Sequence, residues 1–164
     1  MYIYFYETSI GKIGISERNG KVTNLYLKND KLPQNIQVYE SPILKAAAKQ
    51  LEMYLSGKLK EFSIPLEPDG TAFMKQVWIS LSEIQYGKTV SYKDVAVKIG
   101  RPNAARAVGL ANNRNPIPIF IPCHRVIGTN KSLTGYRGGI ELKKKLLEME
   151  NKKIWSFLNM DKKR

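Results

Sequence analysis

The 164-residue chain holds one cysteine, Cys123, and one histidine, His124. A single cysteine excludes an intramolecular disulfide, and one Cys with one His cannot build a tetrahedral structural zinc site without carboxylates, so no metal and no other cofactor is expected. Long apolar runs are missing, which argues against a membrane-spanning helix and against a membrane partner. The opening residues Met1-Tyr-Ile-Tyr-Phe-Tyr6 lack a basic leader and a small-residue cleavage site. The expected setting is therefore soluble, reducing and cytoplasmic, nucleoid-associated in a prokaryote or else nuclear. Internal repeats and low-complexity tracts are absent, and so is the Gly-x-x-x-x-Gly-Lys spacing of a phosphate loop.

Acidic residues are also scarce, 14 against 27 lysines and arginines, for a formal charge of +13. That excess points to a polyanionic partner. Residues 1–82 carry 10 basic and 8 acidic side chains and residues 83–164 carry 17 and 6, so nearly all of the excess lies in the second half. Lys143-Lys-Lys145 and the Lys162-Lys-Arg164 tail read as solubilising charge. Arg101, Arg106, Arg114, Arg125 and Arg137 cluster in sequence around the cysteine and suit phosphate contact.

The elements divide the chain into an N-terminal α/β domain with linker, residues 1–69, and a C-terminal domain, residues 70–164. Residues 2–6, 11–16 and 22–27 read as strands of a small antiparallel sheet, with Asn19-Gly20 as a hairpin turn. Ser41 is placed to cap a helix that starts at Pro42 and ends at Gly57. Ile64-Pro-Leu-Glu-Pro-Asp-Gly70 has linker composition. Thr71 caps a second helix with an apolar stripe of Phe73, Val77, Trp78 and Leu81. Ser91-Tyr-Lys-Asp94 has capping-box spacing and opens a third, with Val95, Ala96 and Ile99 apolar. A fourth is expected from Pro102 through Ala111, completing a helix-turn-helix of winged-helix type. Its surface is nearly bare apart from Arg106, which suits sequence-neutral contact with nucleic acid better than base reading. A last helix over 140–150 should bury Leu142, Leu146 and Met149, with Ile154 to Phe157 packing back. The fold class is α+β: a small sheet with one or two helices, then a mostly helical DNA-binding unit.

Cys123 lies in Ile117-Pro-Ile-Phe-Ile-Pro-Cys-His-Arg-Val126. A lone cysteine in an apolar run is usually inert packing. Here Pro116, Pro118 and Pro122 stiffen the approach, which should be extended, and His124 and Arg125 are groups that favour a thiolate. Sequence neighbours point apart in regular structure. Either the backbone turns sharply at Cys123, or a water carries the proton to His124.

Three segments, Ala104-Ala-Arg-Ala-Val-Gly109, Asn115-Pro-Ile-Pro-Ile-Phe-Ile-Pro-Cys-His-Arg-Val126 and Gly135-Tyr-Arg-Gly-Gly139, closely resemble the O6-alkylguanine-DNA alkyltransferases, densely so over residues 71–150. The resemblance implies direct-reversal repair: an alkylated guanine is flipped from double-stranded DNA, and Cys123 takes the alkyl group from O6 irreversibly, once per molecule. O4-alkylthymine is a second candidate substrate, and the protein is expected to act as a monomer. It further implies that His124 accepts the thiol proton through a water, that Glu150 orients the imidazole, and that Tyr92 donates to guanine N3. Asn115 would brace the turn before the active-site strand. Arg106 would fill the gap left by the extruded base, with Tyr92, Lys93, Arg101, Ala105 and Thr129 also on DNA. Val126, Tyr136, Arg137 and Gly138 would line the substrate pocket, although many members have a small serine where Arg137 stands. Two other readings stay open. One is a lesion-binding relative without transfer, against which Cys123 itself speaks. The other is a helix-turn-helix regulator, for which an activated thiol has no use; a cysteine hydrolase would want an oxyanion hole and a histidine distant in sequence.

Overall fold

The computed structural model describes residues 1–152 and shows an α+β fold of two compact units. The first comprises Met1–Asp69 with Pro116–Phe120; the second comprises Gly70–Asn115 with the chain from Ile121 onward.

In the first unit, β1 (Tyr2–Thr8), β2 (Gly11–Arg18), β3 (Lys21–Tyr26) and β4 (Gln37–Val38) form a sheet of order β3-β2-β1-β4. The pairings β1–β2 and β2–β3 are antiparallel, whereas β4 adds to β1 in parallel. The β2–β3 hairpin turns at Asn19 and Gly20, both at positive φ (53° and 78°), as a type I′ turn requires. Ile3, Ile13, Ile15, Val22 and Leu25 are buried with Leu44, Ala47, Leu51 and Tyr54 of α1 (Pro42–Leu55). Ser41 occupies the N-cap position of α1, but its hydroxyl makes no cap hydrogen bond and is instead buried without a partner.

The second unit contains α2 (Ala72–Ser82), β5 (Val90–Ser91), α3 (Tyr92–Lys98), α4 (Ala105–Asn113), β6 (Val126–Ile127) and α5 (Ile140–Glu150). Thr71 caps α2 through Met74 N–H, worth about 1 kcal/mol. Ser91 and Asp94 form the reciprocal capping box of α3. Gly100, at φ 77°, ends α3: its N–H bonds Val97 and that of Arg101 bonds Ala96, the Schellman pattern. The chain then closes an Arg101–Ala104 turn, so α4 starts three residues later than the sequence suggests. Trp78 Nε1–H donates to the Ala111 carbonyl at 2.9 Å, locking α2 to α4 inside the unit.

Two further expectations need correction. The approach to Cys123 is not extended: the backbone turns at Ile119 and Phe120, with Ile119 at φ 75°. For a β-branched residue that conformation is strained by about 1–2 kcal/mol, and it persists because the side chain is buried. On α5 the buried positions are Lys143, Leu146, Leu147 and Glu150, at the spacing of one helical face, while Leu142 and Met149 are only half-buried. The expected packing of Ile154 to Phe157 lies outside the described residues. Among the described residues no helix is long and apolar enough to cross a membrane.

Candidate active site

Pro122 (φ −79°, ψ 64°) sits at the centre of an inverse γ-turn closed by Cys123 N–H to Ile121 O, 2.8 Å. A single 3-10 turn, Cys123–Arg125, follows at once. Of the two possibilities left open by the adjacent Cys and His, the backbone takes the sharp turn. Two buried asparagines hold it: Asn115 Nδ2 donates to Ile121 O at 2.8 Å, and Asn112 Nδ2 to Cys123 O at 3.3 Å. The carbonyls on either side of Pro122 are thereby fixed, and with them the thiol.

His124 is fully buried, and its Nε2 meets Glu150 Oε2 at 2.7 Å. Glu150 also accepts from Arg125, Nε to Oε1 at 2.8 Å and Nη2 to Oε2 at 3.1 Å, and from Gly87 N–H at 3.3 Å. Arg125 also donates from Nη1 to Ile84 O at 2.7 Å. Burial opposes charge on Glu150, but the His124 and Arg125 contacts outweigh it and hold the carboxyl down to about 2. Burial pushes His124 below its usual value despite Glu150, so the resting imidazole is neutral, with Nδ1 as the ring nitrogen turned from the carboxylate. A neutral imidazole can accept a proton.

Cys123 is 3% exposed, and burial pushes its thiol up; the Asn115 side chain and the charges of Lys143 and Arg137 pull the other way. The resting state is therefore a protonated thiol beside a neutral imidazole, and deprotonation must accompany reaction. Tyr92 opens α3 and is brought beside this turn by the parallel pairing of Val90 with Val126 and Ser91 with Ile127. Its hydroxyl donates to Thr134 O at 3.0 Å, and burial keeps it a neutral phenol. Lys143 Nζ donates to the same Thr134 carbonyl at 3.0 Å and to Val126 O at 2.6 Å.

Beside α4 lies a groove of about 710 Å³ whose walls include Tyr92, Lys93, Ala105, Arg106, Gly109, Thr129 and Gly135. Gly109 and Gly135 both pass close to Tyr92, where an added Cβ would stand 3.7 Å from its ring and its hydroxyl respectively. Among the described residues no cluster of three or more His, Cys, Asp or Glu could hold a metal.

Known proteins share this chain's sequence pattern and fold. A family model described as the 6-O-methylguanine DNA methyltransferase DNA binding domain matches residues 72–152, and the model of the same family's ribonuclease-like domain matches residues 1–68. A methylated-DNA–protein-cysteine methyltransferase of Methanosarcina barkeri is 47% identical over 158 residues, covering 94% of this chain and 99% of that protein. The chain belongs to this methyltransferase family. The constitutive methylated-DNA–protein-cysteine methyltransferase of Bacillus subtilis is 45% identical over 151 residues, 88% of this chain and 92% of that one. Among solved structures, Mycobacterium tuberculosis OGT in complex with DNA superposes with a TM-score of 0.87 at 41% identity, covering 93% and 94% of the two chains.

Within this methyltransferase, the structure brings Cys123, His124, Glu150, Asn115 and Tyr92 into one cluster, with Glu150 on His124 and Tyr92 on the Thr134 loop. It places Tyr92, Lys93, Ala105, Arg106 and Thr129 along the groove, while Arg101 lies apart, over the Phe73 ring at 5.7 Å. Val126 and Tyr136 are buried, Gly138 is half-buried and Arg137 is exposed. Three readings change. Arg125 is a buried partner of Glu150, and so not a phosphate contact. His124 is neutral and does not lower the thiol; Asn115, Lys143 and Arg137 do. Lys143 is a wholly buried cation, although it opens a lysine run that looks solvated. Its signal was spacing: Lys143 lies seven residues before Glu150, on the same helical face.

Proposed function

We propose that this chain repairs alkylated DNA by direct reversal, with Cys123 as the single-use acceptor of the alkyl group from O6 of guanine. The observation that carries the reading is a positioned thiol, on a turn braced by Asn112 and Asn115, flanked by a neutral His124 anchored to Glu150 and by a neutral Tyr92. The thiol proton passes to His124, through a water, and the resulting imidazolium is stabilised by Glu150. The sulfur then attacks the alkyl carbon in line with the C–O6 bond. A C–S bond forms, the C–O bond breaks, and its electron pair returns to the purine. Tyr92 leaves Thr134 and gives its proton to N3, making the base a better leaving group. Nothing is oxidised or reduced, and the thioether has no route back to thiol.

The groove beside α4 supplies the rest. A flipped base costs a few kcal/mol in lost stacking and pairing, and Arg106, exposed on α4, is the long side chain that can occupy the vacated space. Backbone groups of Cys123, Val126 and Arg137 would recognise the guanine edge, with Tyr136 and Gly138 against the alkyl group. The substrate is double-stranded DNA carrying O6-alkylguanine, met by a monomer in the compartment that holds the DNA. Mixing the protein with a duplex containing one O6-methylguanine should add a single methyl group, mapped to Cys123 by intact mass and peptide analysis, and restore guanine. An unchanged mass with intact lesion binding would favour a non-transferring lesion binder and sink the transfer reading.

A further inference from the structure

Among the described residues, no acidic side chain lines the groove beside α4; its charged members are Lys93 and Arg106, the sign that a polyanion meets. Besides Arg106, α4 contributes the small residues Ala105 and Gly109, the short polar Asn113, and one large apolar side chain, Leu110. Leu110 is 52% exposed, whereas the residues that α4 buries are Val108, Ala111 and Asn112. A single leucine on a protein surface is ordinary and by itself points to nothing. This one differs in its place. Of the large apolar side chains exposed among the described residues, Ile79, Val97 and Ile140 included, Leu110 is the one that lines this groove. It also stands four residues after Arg106, so the two share one face of the helix, about 5–6 Å apart.

We infer that Leu110 is a DNA-contact residue: its side chain packs against the deoxyribose edges of the minor groove, one helical turn from Arg106, and supplies a part of the duplex affinity that depends neither on base sequence nor on salt. The inference rests on the reading of this groove as the DNA surface. A leucine side chain has no hydrogen-bonding atom, so it can neither read a base edge nor hold a phosphate. The duplex surface that matches it is the carbon–hydrogen faces of the sugars, which line the minor groove in every sequence. That groove presents a degenerate pattern of donors and acceptors, which suits a protein that must act wherever a lesion lies. Minor-groove binders commonly carry apolar side chains, leucine among them, at the contact. Lys93 and Arg106 attract the phosphates by a force that salt weakens. Leu110 adds to it by removing apolar surface from water, a gain that is not screened.

Fluorescence anisotropy with two unmodified duplexes, one rich in A·T and one in G·C, each over a chloride series, tests this without alkyl transfer. Leu110→Ala should weaken binding about fivefold, equally on both duplexes, and leave the slope of the logarithm of the association constant against the logarithm of salt unchanged. Leu110→Met keeps the apolar volume and should bind as the unmutated protein does. Unweakened binding by Leu110→Ala, a loss that varies with salt or base composition, or an equal loss in Leu110→Met overturns the proposal. Lys93→Gln in the same series separates this contact from the groove itself. If Lys93→Gln leaves the slope untouched, the groove is not the DNA surface and both readings fall. If it lessens the slope while Leu110→Ala binds normally, the leucine contact alone is refuted. A second measurement needs no variant to fold. In the unmutated protein with labelled leucine methyl groups, bound to duplex, the Leu110 methyls should show nuclear Overhauser contacts to deoxyribose protons. Contacts to thymine methyl groups, which lie in the major groove, or no contact with the duplex overturn the proposal.

Discussion

At Glu150 two positive partners converge on one carboxylate, His124 on Oε2 and Arg125 across both oxygens, all three nearly excluded from water. Because the folded carboxyl sits near 2 and the unfolded one near 4.5, its contribution is fully present above the unfolded value and lost as pH falls through the folded one. By linkage that amounts to about 3 kcal/mol. His124 adds in the same direction, since its folded value is depressed and the unfolded state gains a proton below about 6.5. Glu150→Gln should therefore remove the stability loss between about pH 4.5 and 2 in urea unfolding. It should also cost about 3–5 kcal/mol at neutral pH, because Arg125 is left as an unpaired buried charge. If the acid limb persists in the variant, Glu150 is not its source. Rarity made Cys123 and His124 legible in the sequence. Arg125, Lys143 and Asn112 were not, because their chemistry comes from partners 11 to 41 residues away. A lysine beside Lys144 and Lys145 looks solvated until the helix phase is known.

Among the elements, those whose ends carry their own chemistry were the easiest to place: the Asn19–Gly20 turn, the Thr71 cap and the Ser91–Asp94 box each satisfy backbone groups locally. Where a boundary depends on tertiary context, the sequence misleads. Pro102 suits a first helical turn, yet Arg101–Ala104 is used as a separate turn and α4 begins with Ala105. The approach through Ile119 bends against the preference of a β-branched residue, which local propensity cannot foresee. α4 itself has a divided surface. Val108, Ala111 and Asn112 are buried, while Arg106, Ala107 and Leu110 face outward with Arg106 in the groove wall. An arginine whose work is to hold a base outside the stack matters only when there is a stack. Arg106→Ala should therefore slow methyl transfer from a duplex lesion at least tenfold, roughly the 1.4 kcal/mol that one lost contact can cost, while leaving the reaction with free O6-benzylguanine nearly unchanged. Equal losses on the two substrates would place Arg106 in the chemistry and remove it from base extrusion.

Over the whole molecule the charge of +13 admits two pictures of how DNA is held. If the cationic second half attracts the duplex diffusely, most of its 17 basic side chains take part. If contact is confined to α3, α4 and the turns that end them, the exposed cations there that hold no ion pair are Lys93, Arg101, Arg106 and Arg114, since Lys98 is paired with Glu83. Arg125 and Lys143 belong to neither picture, since both are buried and occupied with internal carbonyls and Glu150. The pictures differ in salt dependence, because each neutralised phosphate releases counterions. Four contacts predict that the logarithm of the association constant for an unmodified duplex falls with the logarithm of salt at a slope of about −3.6, whereas diffuse engagement would be several-fold steeper. Lys93→Gln should lessen the slope by about 0.9 without altering the reaction of Cys123 with iodomethane, since Lys93 is exposed on the groove wall. Fluorescence anisotropy across a salt series measures the slope directly. A value far steeper than four contacts allow, or a slope untouched by Lys93→Gln, would move the DNA off this face.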